Sequence, residues 1–295
     1  MSKKCRIAWP VRAISALLSV LLALALAAGC AGYMAVSVLT HDSLHEQVAL
    51  DSRVTDMQMA RITSRVEELA AQYSFSPESV LDVVTRDSVA AYSREVIAWW
   101  MGLLGENPRL EAPGYPTDDV EAAVRADELF RASVPAFRQR TVARDSVAYE
   151  VGRTVKGSVL PLRTELMALA MPTLMERVNL PLWAGRLERL PLLCAAAALG
   201  LAVLVLLLMH VRPDKAALYI GTALAGAALT VLGVTALAPL LDLVGMAAEL
   251  SDILALQLKV LWGILARRAV LMALPALVCG YGLILVHQRH GRKRA

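Results

Sequence analysis

Two histidines and a glutamate lie close together just after the first long apolar stretch of the chain. His41 and His45 are four residues apart, and Glu46 follows directly. On a helix this spacing brings two imidazoles to one face, an arrangement that zinc sites use. The HExxH order of zinc proteases is absent, and the spacing identifies no third ligand. His41 and His45 are therefore candidate metal ligands, and the alternative is a solvated turn beside a membrane.

A pair of tryptophans, Trp99 and Trp100, lies in an uncharged apolar stretch at residues 96–104. Large aromatic rings fill protein cores, and they also dominate contact surfaces. The pair is therefore a candidate interaction surface, with burial in a core as the alternative.

The chain lacks the residue patterns of common catalytic sites. It contains no Ser-His-Asp order, no Gly-rich phosphate loop and no paired cysteine motif. We therefore expect a protein that is not an enzyme and that needs no cofactor.

Long apolar stretches account for the high apolar content of the chain, which is 57% with a mean hydropathy of +0.53. Soluble domains contain about 45–50% apolar residues. A membrane-spanning helix needs about 20 of them in succession. We predict an all-α integral membrane protein with four transmembrane helices. They are TM1 at residues 13–39, TM2 at 191–211, TM3 at 216–241 and TM4 at 269–286, and none contains Asp, Glu, Lys or Arg.

Basic residues cluster at both chain ends and between TM2 and TM3. Residues 1–12, 210–215 and 287–295 hold ten of the 30 basic residues and one acid, Asp214. The rest of the chain has 20 basic and 25 acidic residues, so its net charge is −5. Because basic loops stay in the cytoplasm, the N-terminus (1–12), the loop at 212–215 and the tail at 287–295 are expected there. This distribution predicts membrane orientation, and no nucleic acid partner is expected.

The long connection between TM1 and TM2, residues 40–190, carries charges at an ordinary density and is rich in helix-forming residues. It contains none of the four cysteines, so its fold cannot depend on disulfides. We predict an extracytoplasmic helical domain inserted between TM1 and TM2. Its expected helices lie near residues 51–73, 77–104 with a break near 85, 118–132, 135–160 and 162–171.

The segment at residues 242–268 precedes TM4 and is apolar in part. Glu249, Asp252 and Lys259 fall on one side of a helix. We predict an amphipathic extracytoplasmic segment on the membrane surface, with a re-entrant segment at 246–265 as the alternative.

The end of the apolar stretch Leu26-Ala27-Ala28-Gly29-Cys30 resembles a bacterial lipoprotein lipobox, in which the cysteine is acylated. The apolar run continues through Leu39, and it is longer than a signal peptide requires. We predict an uncleaved anchor in a bacterial cell membrane, with a lipoprotein leader ending at Cys30 as the alternative.

The spans contain no charged residue of the kind that ion-coupled pumps use. Small residues in TM3 and TM4 allow close helix packing or partner contact, namely Gly221, Ala225, Gly226, Thr230 and Gly233 in TM3 and Gly280 and Gly282 in TM4. We expect a non-enzymatic envelope protein whose outer domain binds a partner or ligand. The alternative is a permease-like or transporter-accessory subunit, because one span, an outer domain and three further spans resemble the topology of exporter-type and cell-division ABC permeases.

Overall fold

The computed structural model describes residues 9–103, 113–133, 140–159, 180–210, 212–237 and 252–293. These residues are almost entirely helical, and no strand occurs among them, so the all-α class is confirmed. The helices of the described residues are numbered here in chain order. They are α1 (Trp9–Thr40), α2 (Asp42–Ala49), α3 (Ser52–Tyr73), α4 (Pro77–Leu81), α5 (Arg86–Leu103), α6 (Thr117–Ala126), α7 (Glu128–Ser133), α8 (Arg140–Ser158), α9 (Leu180–Leu208), α10 (Pro213–Leu237) and α11 (Asp252–Lys293).

The chain divides into two compact units. Residues 1–40, 182–243 and 262–295 form one unit, which we call the apolar bundle. Residues 41–181 and 244–261 form the other, which we call the helical domain.

Four helices among the described residues are long and apolar enough to cross a membrane. The qualifying segments are Trp9–Val38, Glu188–Leu208, Pro213–Leu237 and Asp252–His290, with mean hydropathies between 1.9 and 2.7. Only 11–22% of each apolar window is buried inside the protein. Large apolar side chains so widely exposed would be costly in water, at about 25 cal/mol per Å². The fold is therefore that of a multi-pass membrane protein.

In the apolar bundle, α1 packs along α10. Ser19 Oγ donates a hydrogen bond to the Tyr219 carbonyl at 2.8 Å, which joins the two helices. Apolar layers lie on either side of this bond. One contains Leu22, Ala198 and Ala223, and the other contains Val205, Met209 and Ala216 with Val11 and Leu18 of α1 packed against it.

Helices α10 and α11 approach most closely at two glycines. A Cβ atom at Gly280 would lie 2.7 Å from the Gly221 carbonyl oxygen and 2.8 Å from the Ala225 nitrogen. A Cβ at Gly221 would lie 2.7 Å from the Gly280 carbonyl oxygen. The absence of both side chains therefore permits backbone-to-backbone contact, as the small residues of TM3 and TM4 led us to expect.

The helical domain has a core of valines and other aliphatic side chains together with four aromatic residues, Phe75, Tyr92, Tyr115 and Phe130. Helix α3 supplies Ile62 and Val66, which are fully buried, and α6 supplies Val120 and Val124. Further buried members come from α4, α5, α7 and α8, namely Val80, Val89, Phe130, Ala148, Val151 and Val155. These residues form one contiguous apolar core shared by six helices.

Local signals explain where the helices of this domain start and stop. The Asp51 carboxylate accepts the Arg53 N–H and begins α3, and Ser74, with φ 57°, ends it. Between α4 and α5, Ser88 N–H donates to Thr85 Oγ1 and Thr85 N–H donates to Ser88 Oγ, both at 3.1 Å. This reciprocal cap produces the break expected near residue 85. The helix expected at 118–132 is instead two helices, because Asp127 interrupts it.

The structure differs from the sequence expectation at α11. The predicted amphipathic segment and TM4 were separated at residue 268, but α11 runs unbroken from Asp252 to Lys293. Its first turns bury Ile253, Leu254 and Val260 in protein, so protein rather than a membrane surface covers that apolar face. Residues 252–261 belong to the helical domain, and residues 262–293 belong to the apolar bundle.

The glycine crossing yields the first prediction. Replacing Gly280 by alanine should destabilise the bundle by about 1–3 kcal/mol, because the new methyl group overlaps the backbone of α10. The matched control is Gly282→Ala on the same helix, where an added Cβ meets nothing within 4 Å. There the better helix propensity of alanine should leave stability unchanged or higher. Thermal unfolding of the two purified variants in detergent measures their stabilities. Equal melting temperatures of Gly280→Ala and Gly282→Ala would contradict the close approach of α10 and α11 at Gly280.

Candidate functional site

The structure places the two histidines in different surroundings. His41 is the exposed N-cap of α2, with an extended backbone at φ −99° and ψ 107°. His45 lies inside α2 and is only 2% exposed. No group of three His, Cys, Asp or Glu side chains suited to a metal ion occurs among the described residues. The metal site at His41 and His45 therefore stays a prediction. The described residues supply no third ligand for it.

The tryptophan pair lies near the end of α5. Trp99 is half-buried, and the side chain of Trp100 lies outside the described part of the structure. Val96, one turn before Trp100, belongs to the core of the helical domain. Trp99 and Trp100 thus remain a candidate interaction surface.

A surface groove that the sequence did not single out lies where α4 meets α6 and α7. Its volume is about 470 Å³, which is within the range of ligand-binding sites. We call it the α4–α7 groove, and it is lined by Ser76, Ser79, Ala123, Ala126, Asp127, Glu128 and Leu129.

Asp127 is the polar centre of this groove. Its Oδ2 accepts hydrogen bonds from the Ser76 backbone N–H at 3.1 Å and from Ser79 Oγ at 2.6 Å. Its Oδ1 accepts the Phe130 backbone N–H at 2.8 Å. The residue is 7% exposed, so these bonds largely replace its hydration. One carboxylate therefore caps α7 and ties both helices to the start of α4.

The surroundings of Asp127 keep it ionised. Burial by itself raises the pKa of this carboxyl, but the Ser79 hydroxyl and the backbone N–H groups of Phe130 and Ser76 lower it. The hydrogen bonds outweigh burial, so the pKa of Asp127 lies below its usual value.

The polar lining of the groove is committed to internal hydrogen bonds, and its rim is exposed. Ser79 donates its hydroxyl proton to a carboxylate, and no histidine lines the groove to act as a base near neutral pH. Leu129 is 61% exposed at the rim, and Glu128 beside it is also exposed. The rim therefore exposes an apolar side chain next to a negative charge.

Sequence reasoning missed this groove for an identifiable reason. Asp127 followed by Glu128 is a recognisable helix-start signal, but it stood inside an apparently continuous helical pattern. Its hydrogen-bond partners Ser76 and Ser79 are about 50 residues away in the chain, and no local spacing connects them.

Comparison of the chain with protein families, with curated proteins and with solved structures finds no match in any of the three. The functional argument therefore rests on the geometry described above.

The Asp127 junction gives the second prediction. In Asp127→Asn an amide N–H₂ replaces one carboxylate oxygen, so at least one of the three hydrogen-bond donors faces another donor. This change should destabilise the helical domain by about 1.5–3 kcal/mol. Asp82→Asn is the matched control, because Asp82 is exposed and should change stability by less than about 0.5 kcal/mol. Hydrogen exchange of α6 and α7 in the full-length chain measures the difference.

The same junction should fail in acid. Because the folded-state pKa of Asp127 is depressed, its contribution is fully present above the unfolded-state pKa of about 3.9 and is lost as pH falls through the lower folded-state value. The stability gap between the native chain and Asp127→Asn should stay constant from pH 7 to about 5 and shrink below about 4. A stability difference between the two proteins that stays constant down to pH 2 would show that the charge of Asp127 does not contribute to stability.

Proposed function

We propose that this chain is a multi-pass protein of the bacterial cell membrane with both termini in the cytoplasm, whose extracytoplasmic helical domain binds a partner without catalysing a reaction. The observation that carries the proposal is the α4–α7 groove. Its buried carboxylate is committed to internal hydrogen bonds, whereas Leu129 and Glu128 are presented to the surroundings.

The apolar bundle supports this orientation. His287 Nδ1 lies 2.8 Å from the Asp214 carbonyl oxygen, so the C-terminal end of α11 contacts the first turn of α10. Val11 of α1 packs on the cluster that contains Met209 and Ala216 at the α9–α10 turn. The start of α1, the start of α10 and the end of α11 therefore lie at one end of the bundle. The described basic residues there include Arg12, Arg212, Lys215 and Arg289, and the positive-inside rule favours the cytoplasm for this end.

The groove favours a partner of definite chemistry. Its lining includes two acidic residues, Asp127 and Glu128, two serines and the exposed Leu129. A peptide segment with a basic side chain next to an apolar one would pair with Glu128 and cover Leu129. We therefore propose a protein partner that presents such a segment.

The permease-like alternative has less support. Exporter-type permeases transmit ATP-driven motion through a helical cytoplasmic loop, but here α9 ends at Leu208 and α10 begins at Pro213. The Arg212 N–H donates to the Met209 carbonyl at 2.8 Å. This connection leaves no room for a coupling helix, so the binding function is preferred.

The third prediction tests the orientation. A cysteine replacing exposed Glu67 on α3 should react with a membrane-impermeant maleimide added to intact cells. A cysteine replacing exposed Gln288, near the end of α11, should react only after the cells are lysed. The unaltered chain gives the background of its native cysteines. Labelling of Gln288→Cys but not Glu67→Cys in intact cells would reverse the proposed orientation.

The fourth prediction tests the groove. A photoreactive benzoylphenylalanine at Leu129 should form a cross-linked product in cells, whereas the same residue at exposed Ser64, outside the groove, should not. Adding Glu128→Lys should reduce the Leu129 product by about ten-fold or more, because it opposes a basic partner with like charge. Equal products at both positions, or a product insensitive to Glu128→Lys, would count against the groove as the binding site.

A further inference from the structure

Three cations lie at one end of the bundle, one at the start of α1 and two at the start of α10. Arg12 belongs to the first turn of α1, Arg212 precedes α10, and Lys215 lies in the first turn of α10. Val11 packs against the cluster of Val205, Met209 and Ala216, which brings the starts of α1 and α10 together, and Arg12 and Arg212 both act electrostatically on Lys215. None of the three cations forms an ion pair with a carboxylate among the described residues.

One acid, Asp214, is close to these cations, and it is also engaged by α11. His287 Nδ1 lies 3.8 Å from Asp214 Oδ2 in addition to its shorter contact with the Asp214 carbonyl. The cluster therefore has three positive charges against one negative charge. Such an excess attracts an anion at the level of the lipid headgroups.

A groove of about 490 Å³ runs between α1 and α10 in the same bundle. It exists because the facing side chains are small, among them Ala16, Ala23 and Ala27 on α1 and Ala223 and Gly226 on α10. The serine and threonine hydroxyls that line it are already bonded within the protein. Ser19 and Thr222 donate to the Tyr219 carbonyl, and Thr230 donates to the Gly226 carbonyl at 2.8 Å. The groove therefore presents an apolar surface to its occupant.

The cations and the groove lie on the same helix faces. On α1 the lining residue Ala16 is one turn after Arg12, and on α10 the lining residue Tyr219 is one turn after Lys215. Residues four apart on a helix share a face, so the two cations lie at the end of the groove.

The length of the groove matches one leaflet of a bilayer. From Tyr219 to Thr230 the lining spans about 17 Å at about 1.5 Å per residue. One leaflet supplies about half of the 30 Å hydrocarbon core. An acyl chain that starts at the cations would therefore remain within its own leaflet.

We propose that this end of the bundle binds one anionic phospholipid. Its phosphate lies among Arg12, Arg212 and Lys215, and one acyl chain lies in the α1–α10 groove. The cations select the negative headgroup, and the small residues of the groove make room for the chain. The site does not depend on the partner of the helical domain, so either proposal can fail alone.

The fifth prediction is tested with the full-length chain in mild detergent by native mass spectrometry. Added phosphatidylglycerol should bind in preference to phosphatidylcholine. The triple variant Arg12→Gln, Arg212→Gln, Lys215→Gln should lose this preference, with affinity for phosphatidylglycerol falling on the order of a hundred-fold. A charge-matched control replaces Lys259, Arg267 and Arg268, which lie about 28 Å or more along α11 from His287, and should retain binding.

Two further variants test the groove without changing the charge of the protein. Gly226→Leu and Thr230→Leu, made separately, fill the groove and should each weaken phosphatidylglycerol binding at least several-fold. Gly233→Leu is the matched control, because an added Cβ there meets nothing within 4 Å and the residue does not line the groove. Circular dichroism and the elution volume in size-exclusion chromatography identify any variant that fails to fold. If one groove variant fails to fold, lipid binding by the other decides whether the groove holds the acyl chain.

Several outcomes would overturn the proposal. Equal binding of the two lipids would remove the headgroup site, and competition by inorganic phosphate at equal affinity would identify a free-anion site instead. Phosphatidylglycerol binding unaffected by both groove variants would exclude the acyl chain from the groove. A dimer that Gly226→Leu and Thr230→Leu convert to monomer, without lipid binding by the native chain, would assign the groove to a second copy of this chain.

Discussion

The wide exposure of apolar side chains on the long helices determines the solvent that this protein needs. In lipid, backbone polar groups must be satisfied within the helices, and hydroxyl side chains need acceptors close at hand. The structure follows this rule within the bundle. Ser37, Thr230 and Thr235 each donate to the carbonyl one turn earlier, at 2.7–2.8 Å. Bundle packing then depends on close approach, which Gly221 and Gly280 provide, because lipid supplies little hydrophobic drive between helices.

The helical domain is organised by the opposite balance. Its core residues Val54, Ile62, Val66 and Val80 are fully buried, and ion pairs such as Arg125 with Glu121 lie at its surface. Here burial of apolar area drives folding, and a buried carboxylate needs hydrogen-bond donors to replace its hydration. Asp127 is such a group, since three donors satisfy a carboxylate that joins distant parts of the chain. One polypeptide thus contains two units with opposite distributions of apolar side chains.

The two proposed binding sites reflect this division. The α4–α7 groove presents Leu129 and Glu128 next to a carboxylate that is fully engaged, so recognition there would depend on what remains exposed at the rim. The α1–α10 groove combines apolar walls with cations that form no ion pair among the described residues. In both, the serine and threonine hydroxyls along the walls are already bonded within the protein.

The sequence by itself determined the all-α class, the four apolar helices and most of the helix positions, because hydrophobic length and helix caps are local properties. It did not determine that α11 would be continuous, since Glu249, Asp252 and Lys259 fit a surface helix as well as a packed one. It also placed His41 and His45 on one helical face, whereas the tertiary structure exposes one and buries the other. Only that structure brought Ser79 to Asp127 and Arg12 to Lys215. Contacts between residues far apart in the chain arise from how helices pack, and no periodicity within one segment encodes them.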